Sequence, residues 1–260
     1  MIDLQSLNFA ANDYCELIKQ DGSISVYRAD IPKLGAIVIK QYELTSTLEK
    51  LSFRRKQKNI AHLYAQHFPF LAKLYHIGLT PDKKLGHVVY RHVEGVDFRK
   101  IEWLSLSANS VRVIAQEVAQ YLHAIHDSGW IHGDFKFGNV MLDLSDESNN
   151  NVVHLKNPEV ESPDENFDTK IHIVDIEAAV KPRFSVANKK SRDIARFLIN
   201  AEELGVRQLG IDFWCEYQKK ESSENTNKKK KLKKLTQAWC DELSQRHEKK
   251  YGRLVKVDFL

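Results

Sequence analysis

Long hydrophobic runs are missing from this chain: no apolar stretch approaches the roughly 20 residues that cross a bilayer, so no spanning helix is expected. The opening segment MIDLQSLNFAANDYCELIK has no basic region followed by an apolar block, which argues against a secretory signal. Cysteine is scarce. Cys15, Cys215 and Cys240 are odd in number and far apart, so they form neither a disulfide framework nor a metal spacing, and they suit a reducing compartment. They read as buried or incidental thiols. No internal repeat is present, and the net charge is a modest +4.

What is present is a chain of 260 residues that is 42% hydrophobic and 28% charged, enough for a sizeable core in one large domain or two lobes and polar enough to be soluble. Its charge is uneven. Arg54, Arg55, Lys56 and Lys58 cluster in one segment, and Lys228 to Lys231, Lys233 and Lys234 form a dense run, while residues 146–168 lean acidic. Each basic run has two readings, a solvated face or a contact with an anionic partner such as lipid or phosphosugar.

Residues 14–19 and 23–28 read as strands joined by a turn at Gln20-Asp21-Gly22, and Gly35-Ala-Ile-Val-Ile-Lys40 as a third. The spacing predicts a helix over 46–67 with Leu48, Leu51, Ile60, Leu63 and Tyr64 as its apolar stripe and Ser46/Glu49 as a capping box. Two strands follow, at 71–80 and 85–93, completing a first lobe over residues 1–93 in the order βββαββ. Residues 94–260 read as a mainly helical second lobe. In it, Val111, Ile114, Ala115, Val118, Tyr121, Leu122 and Ile125 mark a helix stopped by Asp127-Ser-Gly129. Strands are expected from Val140 and over Lys170–Asp175, with a polar loop insertion at about 145–168 between them. Helices are expected from Ser191, over 201–220 and over 232–250, the last two separated by a lysine-rich linker, 221–231.

The stretch Trp130-Ile-His-Gly-Asp-Phe-Lys-Phe-Gly-Asn-Val-Met-Leu142 carries the chemistry. Asp134 follows a His-Gly pair on a tight loop, Lys136 lies two positions on, and Asn139 lies five on; a second carboxylate, Asp175, arrives after a later strand. Asn139 and Asp175 are hard oxygen ligands suited to Mg²⁺. Asp134 can orient a hydroxyl and accept its proton, and Lys136 can neutralise a phosphoryl group in flight. His132 is read as stiffening the loop, because Asp134 already fills the role of base. His123 and His126, three apart, find no evident third metal ligand and read as core or surface histidines. Arg192, Asp193 and Arg196 are candidates to brace the loop, Asp193 foremost.

These motifs resemble the protein-kinase-like superfamily over nearly the whole chain. His132-Gly-Asp-Phe-Lys-Phe-Gly-Asn139 is similar to the kinase catalytic loop, Ile173-Val-Asp-Ile-Glu177 to the metal-binding Asp-Phe-Gly, and Val38-Ile-Lys40 to the lysine strand. The resemblance implies an α+β bilobal kinase-like fold, with an antiparallel N-lobe sheet plus one helix and a mainly helical C-lobe. It implies ATP and Mg²⁺ as cofactors, with Asp134 and Lys136 catalytic and Asn139 and Asp175 on the metal. Lys40 would lie on the phosphates, Gly22 in the hairpin above them, the backbone around Arg91–Val93 against adenine, and Asp97 at the ribose. Within the superfamily, the combination of this loop with Val-Asp-Ile-Glu-Ala-Ala, Lys181-Pro182 and Ser191-Arg-Asp-Ile-Ala-Arg-Phe-Leu198 resembles bacterial lipopolysaccharide core kinases of the Kdo and heptose type. That implies phosphorylation of an inner-core sugar hydroxyl. It also implies a cytoplasmic protein meeting the inner face of the inner membrane peripherally, with no nucleic-acid partner.

The chain departs from the wider pattern in places. Gly22 is the only glycine of the first hairpin, Glu49 is the only glutamate of the first helix, Glu177 replaces a glycine, and no Ala-Pro-Glu follows. Two other classes therefore stay in view: a small-molecule (aminoglycoside-like) or Ser/Thr protein kinase, and a non-catalytic nucleotide-binding scaffold.

Overall fold

The structure, a computed structural model, describes residues 15–32, 34–143, 170–221 and 226–260. The expected insertion at 145–168 lies outside these residues. The chain divides into two compact units, Met1–Val93 and Glu94–Leu260. It is an α+β protein: the first unit is built on a five-stranded antiparallel sheet, and the second is mainly helical.

In the first unit, β1 (Cys15–Asp21), β2 (Ile24–Ile31), β3 (Gly35–Glu43), β4 (Leu74–Leu79) and β5 (Leu85–Arg91) pair in the order β1-β2-β3-β5-β4. Asp21 pairs with Ile24, so the turn is Gly22-Ser23 rather than the expected Gln20–Gly22. Gly22 takes φ +57° while Ser23 does not go positive, the pattern of a two-residue hairpin with glycine first. Alternation along the strands buries Tyr27, Ala29, Ile37, Ile39 and Val89 on one face, each large side chain contributing about 1.5–3 kcal/mol.

Helix α1 (Thr47–Tyr64) starts at the expected capping box: Ser46 accepts from the Glu49 N–H and Glu49 accepts from the Ser46 N–H. Its buried face differs from the expectation. Phe53, Ile60 and Leu63 are buried, whereas Leu48 and Leu51 are 78% and 55% exposed. The cause lies in β5. Gly86 has no side chain, and the Phe53 ring fills that space, 2.6 Å from where a Cβ would stand. Seating Phe53 there turns Leu51, roughly 200° away around the helix, outward.

In the second unit, β6 (Gly95–Asp97), β7 (Val140–Asp143) and β8 (Lys170–Ile173) form a three-stranded antiparallel sheet. Helices α2 (Ala108–Asp127), α3 (Val186–Glu203), α4 (Arg207–Lys220) and α5 (Thr226–Tyr251) make up the rest, α2 packing on α4 and α3 on α5. Helix α2 buries Ile114, Ala115, Val118, Leu122 and Ile125 and ends where Gly129 turns to φ +82°. Helix α5 begins inside the expected linker, so Lys228 to Lys231 are helical. Leu232, Thr236, Cys240 and Ser244, buried at a spacing of four, hold it down. The final segment returns along α5, where the carbonyl of Val257 accepts from Gln237 at 3.1 Å and Val255 and Val257 are buried. Among the described residues no helix is long and apolar enough to cross a membrane.

Candidate active site on the loop between α2 and β7

The sequence Asp134-Phe-Lys-Phe137 alternates polar and aromatic residues, and the structure separates them by face. Phe135 and Phe137 are fully buried, both stacked or tilted against Phe197 of α3, at 5.7 and 4.8 Å between ring centroids. Phe197 in turn stacks on Phe213 of α4 at 4.2 Å. Two aromatic anchors thus fix the loop to the helical core and leave Asp134 and Lys136 on the accessible side.

His132 is buried and bonded at both nitrogens. Its Nδ1 accepts the Asp134 N–H at 3.3 Å and its Nε2 donates to the Val174 carbonyl at 3.2 Å, a neutral tautomer set by its partners. Burial pushes its pKa below the usual imidazole range, against the pull of the Asp193, Asp175 and Asp134 carboxylates that surround it. The ring ties the loop to the segment after β8, which is the stiffening role expected of it.

Gly133 takes φ +86°, and a Cβ there would stand 2.5 Å from the Ala178 carbonyl oxygen, so only glycine fits. Its N–H is accepted by both oxygens of Asp193, and its carbonyl accepts from Arg196. Asp193 is wholly buried. Burial raises its pKa, but the hydrogen bonds it accepts from His126 and the Gly133 N–H outweigh that and hold the carboxyl below its ordinary value. His126 bonds the Tyr217 hydroxyl at 2.7 Å through Nδ1 and Asp193 at 3.4 Å through Nε2. His123, its neighbour one turn back, faces Glu221 at 3.4 Å instead. Arg192 does not reach the loop; it lies over the Trp239 ring at 5.1 Å.

Around Asp134 the donors converge. Lys136 Nζ reaches Oδ2 at 2.7 Å, Arg196 reaches Oδ1 at 3.0 Å, and the Asn139 amide donates to the Asp134 carbonyl at 2.8 Å and to Oδ2 at 3.3 Å. A carbonyl can only accept, so the Asn139 nitrogen points at Asp134 and its Oδ1 is the oxygen left to act as a ligand. The strand register brings the backbone that leads to the second carboxylate against that of Asn139: Val140 pairs with Ile173, and the Val174 N–H, one residue before Asp175, donates to the Asn139 carbonyl at 3.0 Å. Asp175 sits two residues beyond the end of β8, at φ +60°, a left-handed conformation that an aspartate adopts more readily than most residues. An amide oxygen and one carboxylate fit Mg²⁺, which takes few protein ligands and shares the rest with phosphates and water.

The other expected site residues are placed as follows. Lys40 lies mid-strand on β3, half-buried, opposite Val26 and Val88, and Gly22 forms the β1–β2 turn. The N–H groups of Arg91 and His92 are bonded to the carbonyls of Lys73 and Ala36, and Val93 follows, half-buried, beyond the end of β5. Asp97 is buried and bound by Arg99 at 2.9 Å through Nε and 3.1 Å through its N–H. Glu49 accepts the N–H groups of Thr45 and Ser46 at 2.8 Å each and the Thr45 hydroxyl at 3.0 Å, so its carboxylate serves the helix start.

Sequence reasoning missed Asn200, whose Oδ1 accepts the Phe137 N–H at 3.0 Å, and the anchoring role of Phe135 and Phe137. The strict polar–aromatic alternation of the loop was the available signal for the phenylalanines; nothing local marked Asn200. Compared with known proteins, the chain matches no family model and no curated protein.

Proposed function

We propose that this chain is an ATP-dependent phosphotransferase of the protein-kinase-like superfamily whose acceptor is a sugar hydroxyl of the lipopolysaccharide inner core. One observation supports it above the rest: Asp134 is held at both oxygens by Lys136 and Arg196, while the β7–β8 register brings the backbone leading to Asp175 against that of Asn139, whose side chain braces Asp134. A surface loop holding these residue types by chance has no need of two cations on one carboxylate, a buried aspartate behind its backbone and two phenylalanine anchors. The antiparallel sheet with one helix, followed by a helical unit, is compatible with a bilobal kinase-like fold.

In this reading Asp134 accepts the proton of the acceptor hydroxyl as the alcohol oxygen bonds to the γ-phosphorus of ATP. The bond from that phosphorus to the β–γ bridging oxygen breaks, and ADP leaves. Lys136, bonded to Asp134, stands where its charge can follow the transferred phosphoryl group. Arg196 holds the carboxylate's orientation. The Asn139 Oδ1 and the Asp175 carboxylate would hold Mg²⁺, which when bound neutralises phosphate charge. Lys40 and the backbone at Val93 would serve the nucleotide. A lipid-linked acceptor places the protein at the cytoplasmic face of the inner membrane, with the basic faces of α1 and early α5 available to anionic lipid.

Transfer of label from γ-labelled ATP to isolated core glycan tests this. Asp134→Asn is expected to lower kcat by about 10³-fold or more, in line with loss of base and orientation together. Full activity in that variant would remove Asp134 from the mechanism. The use of Glu49 in a helix cap favours one competing reading, a scaffold that binds nucleotide without turnover. A thermal shift with ATP that is indifferent to Mg²⁺ would support the scaffold.

A further inference from the structure

The candidate loop holds two glycines, and backbone conformation accounts for only one of them. Gly133 needs its φ of +86°, whereas Gly138, the residue before Asn139, is not in the left-handed region. What requires glycine at 138 is a neighbour. A Cβ there would stand 2.9 Å from both Nε and Cζ of Arg99 and 3.2 Å from its Nη2, so the guanidinium lies across the open face of the glycine. Arg99 is 61% exposed, and an exposed arginine is ordinarily free to swing away. This one is held by a two-point fork: its Nε and Nη2 donate to Oδ1 and Oδ2 of the buried Asp97 at 2.9 and 3.2 Å, and its N–H donates to Oδ1 at 3.1 Å. Asp97 ends β6, paired with Met141 of β7. Between the two, the Phe98 N–H is shared by the carbonyls of Phe137 and Val140 at 3.3 and 3.1 Å, and its ring meets Phe137 edge-on at 5.7 Å. The backbone that carries the fork is therefore fixed to the residues on either side of Gly138 and Asn139.

Resting on the phosphotransferase reading, we infer that Arg99 is a positioning residue for the metal: aimed by Asp97, its guanidinium clamps Gly138 and so fixes the direction of the Asn139 amide oxygen. Glycine has more backbone freedom than any other residue, and directly before a ligand it leaves that ligand loose unless a neighbour closes its open face. Asp97 serves the loop through Arg99 and not the ribose. The loop is thus held from two sides, Gly133 and Asp134 by Asp193 and Arg196 of α3, and Gly138 by the fork at the end of β6.

The test uses the full chain and reads metal directly as well as turnover. Affinity for the Mn²⁺–ATP complex, with Mn²⁺ as a paramagnetic stand-in for Mg²⁺, is measured without acceptor from the water-proton relaxation enhancement of protein-bound Mn²⁺, and Mg²⁺ is titrated in the transfer assay. Arg99→Ala should weaken Mn²⁺–ATP binding and raise the Mg²⁺ half-saturation point by roughly 10-fold each, the scale of a lost group that orients a metal ligand. Gly138→Ala, whose methyl group displaces the guanidinium, should do the same. The double variant should be no worse than the poorer single one, because both changes remove one clamp. Melting temperature reports folding separately, and the Arg99 side chain is on the surface. Asp97→Asn should keep the parental ratio of kcat/KM between ATP and its 2′- and 3′-deoxy analogues. Parental Mn²⁺–ATP affinity in either single variant, or losses that multiply in the double variant, would overturn the inference. So would loss of a parental preference for ATP in Asp97→Asn, which would return Asp97 to the ribose. The phosphotransferase reading would stand in each of these cases. No transfer by the parent chain, with no binding of Mn²⁺–ATP, would overturn both.

Discussion

Asp193 and Gly133 lie 60 residues apart in sequence, yet both carboxylate oxygens of the aspartate accept the glycine N–H, at 3.0 and 3.1 Å. The bond reaches from the buried face of α3 to the backbone just before Asp134. Helix packing thereby sets the position of the candidate catalytic loop.

Removing Asp193 should therefore cost both stability and activity. Asp193→Ala leaves the Gly133 N–H and the His126 Nε2–H without a buried acceptor, at a cost of about 3 kcal/mol. Asp193→Asn retains one acceptor oxygen and should cost less, with activity falling in both. Chemical denaturation alongside a transfer assay checks the order; an alanine variant as stable as the parent would mean that the bond does not hold the loop.

The metal role proposed for Asn139 and Asp175 makes a separate prediction. Asn139→Ala should raise the Mg²⁺ concentration for half-maximal activity by about 10–100-fold, and Asp175→Asn should raise it further because a charge is lost. Asn139→Ala also frees the Asp134 carbonyl, so kcat at saturating Mg²⁺ should fall as well. Titrating Mg²⁺ separates the two effects, and an unchanged half-saturation point in both variants would take these residues off the metal.

Much of this was legible in the sequence where the signal is local. The capping box at Ser46/Glu49, the stripe of α2, its stop at Gly129 and the loop motif itself all depend on residues within a turn or two of one another. The misses have long-range causes. Leu51 fits a helical stripe as well as Phe53 does; a glycine on β5, 33 residues past Phe53, decides between them. Strand β6 is three residues long and exists because Gly95 lets the backbone approach Leu142, where a Cβ would meet the carbonyl oxygen at 1.9 Å. The lysine run at 228–231 reads as a solvated linker because its anchors, Leu232 to Ser244, come after it and are partly polar. Asp193 and Arg196 were visible as bracing candidates, but the Asn200 bond to Phe137 left no mark, since one asparagine on a helix looks like any other.

Three buried histidines set an expected pH dependence. Burial lowers the pKa of His87, to about 4, and also lowers those of His126 and His132. A histidine kept neutral by the fold binds fewer protons folded than unfolded, so its contribution is complete above the unfolded value of about 6.5 and is lost as pH falls toward the folded value. For His87, whose Nε2 donates to Gln41 at 3.1 Å, the loss by pH 5 is on the order of 1–2 kcal/mol. Melting temperature should drop between pH 7 and pH 5, and His87→Gln, which can keep the bond to Gln41, should flatten part of that drop. A melting temperature constant over this range would contradict the assignment of neutral buried rings.

Arg196 is the residue on which geometry rather than charge should matter. Its guanidinium spans two acceptors, the Gly133 carbonyl and Asp134 Oδ1, the latter at 3.0 Å. A lysine keeps the charge but has no planar fork, so Arg196→Lys can serve one acceptor and leaves the other unpaired. If the arginine only neutralised Asp134, lysine would substitute well. Because it also fixes the carboxylate relative to the backbone of its own loop, the lysine variant should lose roughly 10²-fold in kcat, the scale expected for a misplacement of about 1 Å. ATP affinity should change little if Arg196 positions Asp134 without touching the nucleotide. The decisive comparison is Arg196→Lys against Arg196→Ala: similar losses in the two identify a positioning fork, whereas near-parental kcat in the lysine variant would reduce Arg196 to a counter-charge.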